Sequence, residues 1–211
     1  MVMHLDDAII YFISMRNYLM VPNVEKWVFD LFHVNVLTTT NAFLEVLTAR
    51  ISNGQIKELQ FCLQNLKEFQ LLTRTVCNIN LYDAVSFLRT CPHLERLFIN
   101  LSSYSMNCVP YEKLHQRHLF EEFNHIFNPL KIIKLMGVEF REYEIDLIRL
   151  LLRKAICLET LVLTTYPPHA LFGISHFHSW KTSVNCRILV FNQLNDKSGI
   201  HPKEKRFACY T

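Results

Sequence analysis

A six-residue pattern recurs along the chain: leucine, a charged residue, any residue, an apolar residue, any residue, an apolar residue. It occurs as Leu66-Lys67-Glu68-Phe69-Gln70-Leu71, Leu94-Glu95-Arg96-Leu97-Phe98-Ile99, Leu130-Lys131-Ile132-Ile133-Lys134-Leu135 and Leu158-Glu159-Thr160-Leu161-Val162-Leu163. The leading leucines are 28, 36 and 28 residues apart. Val24-Glu25-Lys26-Trp27-Val28-Phe29 reads as a fifth copy and Ile188-Leu189-Val190-Phe191 as a degenerate sixth. A repeat of this kind constrains the fold strongly, because each unit has an apolar face that only a neighbouring copy can cover.

Each hexad is too short for a helix and alternates its apolar side chains, so it reads as a β-strand. Helical spacing lies between the hexads. Leu81, Ala84, Val85 and Leu88 fall on one helical face, as do Ile148, Leu151, Leu152 and Ala155. Phe120, Phe123 and Phe127 fit more loosely, and Leu5, Ala8, Ile9 and Phe12 suggest a helix near the start. The helix before Ala155 carries Glu142, Glu144 and Asp146 early and Arg153 and Lys154 late, as its dipole favours. Strand plus helix about every 28 residues is the leucine-rich-repeat arrangement: an α/β solenoid with a parallel sheet on the concave side and helices on the convex side. The stretch SSYSMNCVPYEKLHQRH, inside the longer interval, is expected to loop out of the sheet.

Alternation then assigns faces. Hexad positions 1, 4 and 6 point into the core, while positions 3, 5 and the following residue point out of the concave sheet. The expected exposed row comprises Lys26, Val28 and Asp30; Glu68, Gln70 and Leu72; Arg96, Phe98 and Asn100; Ile132, Lys134 and Met136; Thr160, Val162 and Thr164. Phe98 is thereby expected to be an exposed aromatic at the centre of a docking surface. Cys91-Pro92 becomes the turn from helix to strand.

Composition narrows the function classes. The chain has 211 residues, is half apolar and 19% charged, and contains only 4 glycines. No GxGxxG or GxxxxGK[ST] phosphate loop is present. A net charge of +3 with no long basic run argues against a nucleic-acid binder. The 7 cysteines are odd in number and form no CxxC, so reduced thiols and a cytoplasmic or nuclear location are expected. Acidic Asp6 and Asp7 before the short run AIIYFI argue against a signal peptide or a membrane span.

Candidate chemical centres are weak. His115, His118 and Glu121 or Glu122 could face one side of a helix, but nothing in the sequence orients them as zinc ligands. The His176-x-His178 pair stands alone. Cys91 with His93, and Cys157, lack a third group to hold an activating base. Asp6/Asp7, Glu121/Glu122 and Glu142/Glu144 sit where helix starts and polar faces explain them. Ser175-His176 lacks the second glycine of a nucleophile elbow. A thiol or metal hydrolase is therefore the disfavoured alternative, and no cofactor or metal is expected.

CPHLERLFINL together with LKIIKLMGVEFREYEIDLIRLLLRKAICLETLVL, residues 130–163, resembles the C-terminal region of plant F-box leucine-rich-repeat proteins, in which repeats lead into an FBD segment. Leu130-Lys131, Lys134-Leu135, Gly137 and Glu144 carry the likeness, and QLNDKSGIHPKEKRF is similar to a worn version of the family's final strand region. The resemblance implies a leucine-rich-repeat-like region over residues 1–129 and an FBD-like region over 130–211, continuing one solenoid. It also implies a non-enzymatic protein-interaction module. The family's F-box, which binds Skp1, has no counterpart before the repeats, so Skp1 or cullin binding is expected only if an F-box lies upstream. What the resemblance then leaves is the substrate-holding part, with an unknown protein partner on the concave face and with no nucleic acid or membrane. The expected contact residues are Glu68, Gln70, Arg96, Phe98, Asn100 and Lys134. A complete ubiquitin-ligase substrate receptor, of which this chain is a piece, is the alternative reading.

Overall fold

The computed structural model describes residues 6–10, 29–48, 61–72, 81–101, 126–166 and 174–202. Seven strands form one parallel sheet, ordered as in the sequence: β1 (Asp7–Ile10), β2 (Val36–Thr40), β3 (Glu68–Leu72), β4 (Arg96–Asn100), β5 (Ile132–Met136), β6 (Thr160–Thr165) and β7 (Arg187–Asn192). The helices between strands include α1 (Asn41–Thr48), α2 (Leu81–Leu88), α3 (Glu142–Lys154) and α4 (Ile174–Trp180).

The hexads explain the register. Glu68 pairs with Arg96, Arg96 with Ile132 and Ile132 with Thr160, so hexad position 3 starts each of β3 to β6. The charged position 2 has a backbone role. Its carbonyl accepts two N–H groups from the next unit: Lys67 O from Glu95 and Arg96, Glu95 O from Lys131 and Ile132, and Lys131 O from Glu159 and Thr160. Asn35 O and Asp6 O do the same one and two units earlier. The side chains at this position can be polar because they stay partly exposed; Lys131 lies 3.6 Å from Glu95, and Asn35 donates to the Asp6 carboxylate at 3.3 Å.

Positions 4 and 6 form two apolar rows. Leu37, Phe69, Leu97, Ile133 and Leu161 make one, and Leu71, Ile99, Leu135 and Leu163 the other. They share one core with Phe43 and Leu44 of α1, Val85, Phe87 and Leu88 of α2, Ile148, Leu151 and Leu152 of α3, and Phe177 of α4. Phe69 and Phe87 rings meet with centroids 4.6 Å apart. The helices thus cover one face of the sheet; Ala84, Val85 and Leu88 of the spacing read over 81–88, and Ile148, Leu151, Leu152 and Ala155 of that over 148–155, are buried in this core.

Two expectations fail. The N-terminal segment is a strand at Asp7–Ile10, not a helix, since the β-branched Ile9-Ile10 run extends and pairs with β2. The strand beside β3 is Val36–Thr40, not the hexad at Val24–Phe29. Residues 24–28 lie outside the described residues, and Phe29 and Asp30 are exposed and outside the sheet. Val34-Asn35-Val36-Leu37-Thr38-Thr39 is the true counterpart. Its polar Thr39 hides the pattern, and burial is satisfied because the hydroxyl donates to Ile10 O at 3.0 Å. Phe127 is buried just before β5 but is not helical; Phe120, Phe123 and the stretch SSYSMNCVPYEKLHQRH lie outside the described residues. No helix among the described residues is long and apolar enough to cross a membrane.

The connection from β5 to α3 rests on two residues. Gly137 has φ 72°, a left-handed conformation that costs other residues roughly 1–2 kcal/mol. Gly137→Ala is expected to lower stability by about 1 kcal/mol in urea unfolding. Glu144, at the third position of α3, is buried, and its carboxylate accepts from the N–H groups of Arg141 (3.1 Å) and Glu139 (2.9 Å). These two amides flank Phe140, which itself has φ 56° and packs against Phe177.

Burial pushes the Glu144 carboxyl up to about 7, against the opposing pull of those hydrogen bonds. The folded chain then holds this proton more tightly than the unfolded chain. The stabilisation is complete below the ordinary value of 4.5 and is lost as pH rises through 7. Glu144→Gln keeps an acceptor and cannot ionise. Its stability relative to the unmodified chain is expected to improve by about 2 kcal/mol between pH 5 and pH 8, read from urea midpoints.

Candidate interaction surface

Positions 3 and 5 and the residue after each hexad place a second set of side chains on the sheet face away from the helices. Register aligns them in rows. Val36, Glu68, Arg96, Ile132, Thr160 and Arg187 form the first, and Thr38, Gln70, Phe98, Lys134, Val162 and Leu189 the second. Thr40, Leu72, Asn100, Met136, Thr164 and Phe191 form the third. All six expected contact residues stand on this face. Lys26 and Val28 lie outside the described residues; with Asp30 off the sheet, Val36, Thr38 and Thr40 stand where those three were expected.

The expectation that this row is exposed is corrected. Phe98 and Glu68 are 0% exposed, and Gln70 and Lys134 are 1% exposed. Only Arg96 and Asn100, of the six, are half-buried. Val36, Leu72, Phe98 and Val162 are buried apart from the helix-side core. Part of the cause is chain that returns. After β7 comes a single 3-10 turn, Gln193–Asn195, and residues 196–202 then run back across the far face of the sheet. This segment, expected as a strand region, pairs with side chains instead of with a strand.

The contacts of the returning segment are polar. The Lys134 ammonium donates to the Asp196 carboxylate, to Ser198 Oγ (3.2 Å) and to Ile200 O (2.5 Å). The Arg96 guanidinium donates to His201 O (2.6 Å), and the Thr164 hydroxyl donates to Gln193 Oε1 (3.4 Å). Burial by itself would raise the Asp196 carboxyl. The hydrogen bonds from Lys134 and Ser198 outweigh it and hold the group below the usual carboxylate range. A cation as enclosed as Lys134, between Phe98 and Val162, requires such a partner, since an unpaired buried charge costs several kcal/mol.

A second network crosses β2 to β4. Thr38 Oγ1 donates to Gln70 Oε1 (3.0 Å), Gln70 Nε2 donates to Glu68 Oε1 (2.7 Å), and Glu68 Oε2 lies 2.9 Å from an Arg96 nitrogen. The Arg96 guanidinium also sits 5.1 Å from the Phe98 ring centroid. Thr38, Asp196, Ser198 and Gln193 were not singled out in the sequence. Asp196, Ser198 and Gln193 all fall within the stretch QLNDKSGIHPKEKRF, and the turn formers Asn195-Asp196-Lys197-Ser198-Gly199 mark a turn around the first two.

The weighed chemical centres take their places. Cys91 is buried at the turn between α2 and β4, and burial pushes its thiol up to about 12, which makes it a packing group. Cys157 is exposed beside Asn128, and His93, Ser175, His176 and His178 are exposed. Cys62, Cys91, Cys157 and Cys186 are free thiols. No metal-holding cluster occurs among the described residues, and His115, His118, Glu121 and Glu122 lie outside them.

Two curated proteins of Arabidopsis thaliana are similar to this chain, both FBD-associated F-box proteins. One is 28% identical over 134 residues, covering 62% of this chain and 30% of that protein. The other is 28% identical over 137 residues, covering 62% of this chain and 29% of that protein. The match spans less than a third of each relative. No family model matches the chain, and no solved structure matches it.

Proposed function

We propose that this chain, a relative of the plant F-box/FBD proteins, is a non-enzymatic protein-interaction module that holds a partner protein on the sheet face away from its helices. Its seven strands are read as a leucine-rich-repeat solenoid, with the far face concave, and residues 1–129 and 130–211 as two regions of that one solenoid. The observation that carries the reading is the set of charged, amide and hydroxyl side chains that β2 to β5 hold in register on one face, where Arg96 and Lys134 already bind residues 196–201. A rigid sheet presenting varied side chains in rows suits recognition of a protein segment.

Asn100→Ala and Arg187→Glu alter this face at half-buried and exposed positions, while Arg153→Glu alters the exposed side of α3. Proteins retained by the immobilised chain from plant extract are expected to fall at least tenfold with the first two variants and to persist with the third. Retention that survives both face variants and fails with Arg153→Glu would overturn the reading.

A second reading, substrate receptor of a Skp1–cullin ubiquitin ligase, draws on the F-box proteins among the relatives. The matched stretch is less than a third of those proteins. Under the first reading, purified Skp1 is not retained by these 211 residues; retention at micromolar concentration would favour the second.

A further inference from the structure

Residues 196–201 are held on the far face as a ligand would be held. Gly199 and the chain on both sides of it lie at the surface, and none of these residues joins the helix-side core. Their grip is one ion pair and a few hydrogen bonds, from Lys134 and Arg96. The segment also builds its own shape. Ser198 N–H donates to Asp196 Oδ1 (2.9 Å) and Ile200 N–H donates to Ser198 Oγ (3.2 Å), two successive side-chain turns. Gly199 completes them at φ 66°, where a side chain is strained although open space surrounds the position. The turn thus presents a carboxylate, a hydroxyl and a carbonyl to one ammonium.

The receiving side is more fixed than the segment. Lys134 is enclosed between Phe98 and Val162 on a central strand, and Arg96 is tied to Glu68. What the site selects is therefore one negative charge beside a hydroxyl, followed by free carbonyls that any peptide has.

We propose that this face recognises an Asp-x-Ser-Gly turn in a partner protein, and that residues 196–199 are the chain's own copy, occupying the site until the partner displaces it. The proposal rests on the interaction reading above and names the chemistry of the partner at the same face. Displacement exchanges one ion pair for an equivalent one, so it needs no net loss of charge pairing. The tethered copy competes through its high effective concentration.

The test uses the full chain and a fluorescein-labelled peptide with the sequence of residues 193–202, followed by anisotropy. Asp196→Ala removes the tethered carboxylate. Gly199→Val disturbs the tethered turn without touching Lys134, and provides a second opened form should the first fold poorly. Both variants are expected to bind the peptide at least tenfold more tightly than the unmodified chain. Adding Lys134→Ala to either, or replacing the peptide's Asp by Asn, is expected to remove that gain. Equal binding by the opened and unmodified chains, or binding indifferent to Lys134, would overturn the proposal. If the peptide fails while Asn100→Ala and Arg187→Glu still abolish partner retention, the docking face stands and the Asp-x-Ser-Gly preference falls. If all of these fail, both fall.

Discussion

Phe98→Ala is expected to lower the stability of the chain by about 3–4 kcal/mol, the cost of truncating a core phenylalanine. The residue is on the sheet face away from the helices, where alternation alone would make it a surface aromatic. Surface substitutions usually change stability by less than about 0.5 kcal/mol, so the two outcomes are far apart. The large value follows from full burial: the ring is 0% exposed, is flanked in register by Gln70 and Lys134, and lies under the Arg96 guanidinium. Truncation leaves a cavity beside an enclosed ammonium, and the sheet backbone cannot collapse into it. The urea midpoint should fall with an unchanged m-value. A shift within the surface range would show that the far face is open to water.

Arg96→Ala is expected to cost about 2–3 kcal/mol. Its partner Glu68 is 0% exposed, whereas the Arg96 side chain is 25% exposed. The substitution removes the cation and leaves the carboxylate enclosed, and leaving an uncompensated buried charge is the costly way to break an ion pair. The partial exposure of Arg96 keeps the figure at the lower end of that effect. Glu68→Gln is expected to be milder, because it removes the buried charge and leaves the exposed-side guanidinium able to reach water. The double variant should recover much of the loss, and a double-mutant cycle should return a coupling of about 1–2 kcal/mol. Independent, additive losses would contradict the pairing. Arg96 also touches Phe98, so the two large effects described here are not expected to add.

Much of the sheet was legible in the hexads, and the reason is physical. Leu66, Leu94, Leu130 and Leu158 lead strands whose register puts Phe69, Leu97, Ile133 and Leu161 side by side. The periodicity of a buried row is a property of each unit alone, so it can be read locally. β2 was hidden because Asn35 and Thr39 replace the charged and apolar members of the pattern, and a hydroxyl bonded to Ile10 O can be buried as safely as a methyl. β1 was hidden because its Ala8 and Ile9 also fit a helical spacing with Leu5 and Phe12 of the sequence.

The far face divides differently. Which side chains stand on it was legible, since alternation is local. Whether water reaches them was not. The groups bonded to Lys134 come from 62 to 66 residues further along, and the carbonyl bonded to Arg96 from 105 residues further. No pattern within a repeat encodes a contact at that separation. The features behind the resemblance to FBD proteins also find a physical role: Gly137 supplies a left-handed turn and Glu144 ties the start of α3, so both shape the exit from β5. Lys134, another of those features, turns out to be the anchor of the returning segment.

The most direct measurement is lysine footprinting by acetic anhydride with mass spectrometry. Lys131 and Lys134 lie on the same stretch of chain; the Lys131 side chain is 47% exposed and that of Lys134 is 2% exposed. In the unmodified chain, Lys131 is expected to label at least tenfold faster than Lys134, and Asp196→Ala is expected to bring Lys134 toward the Lys131 rate while the urea-unfolding transition remains. Lys134 labelling as fast as Lys131 in the unmodified chain would contradict the account, because the far face would then stand open with no segment bound to it.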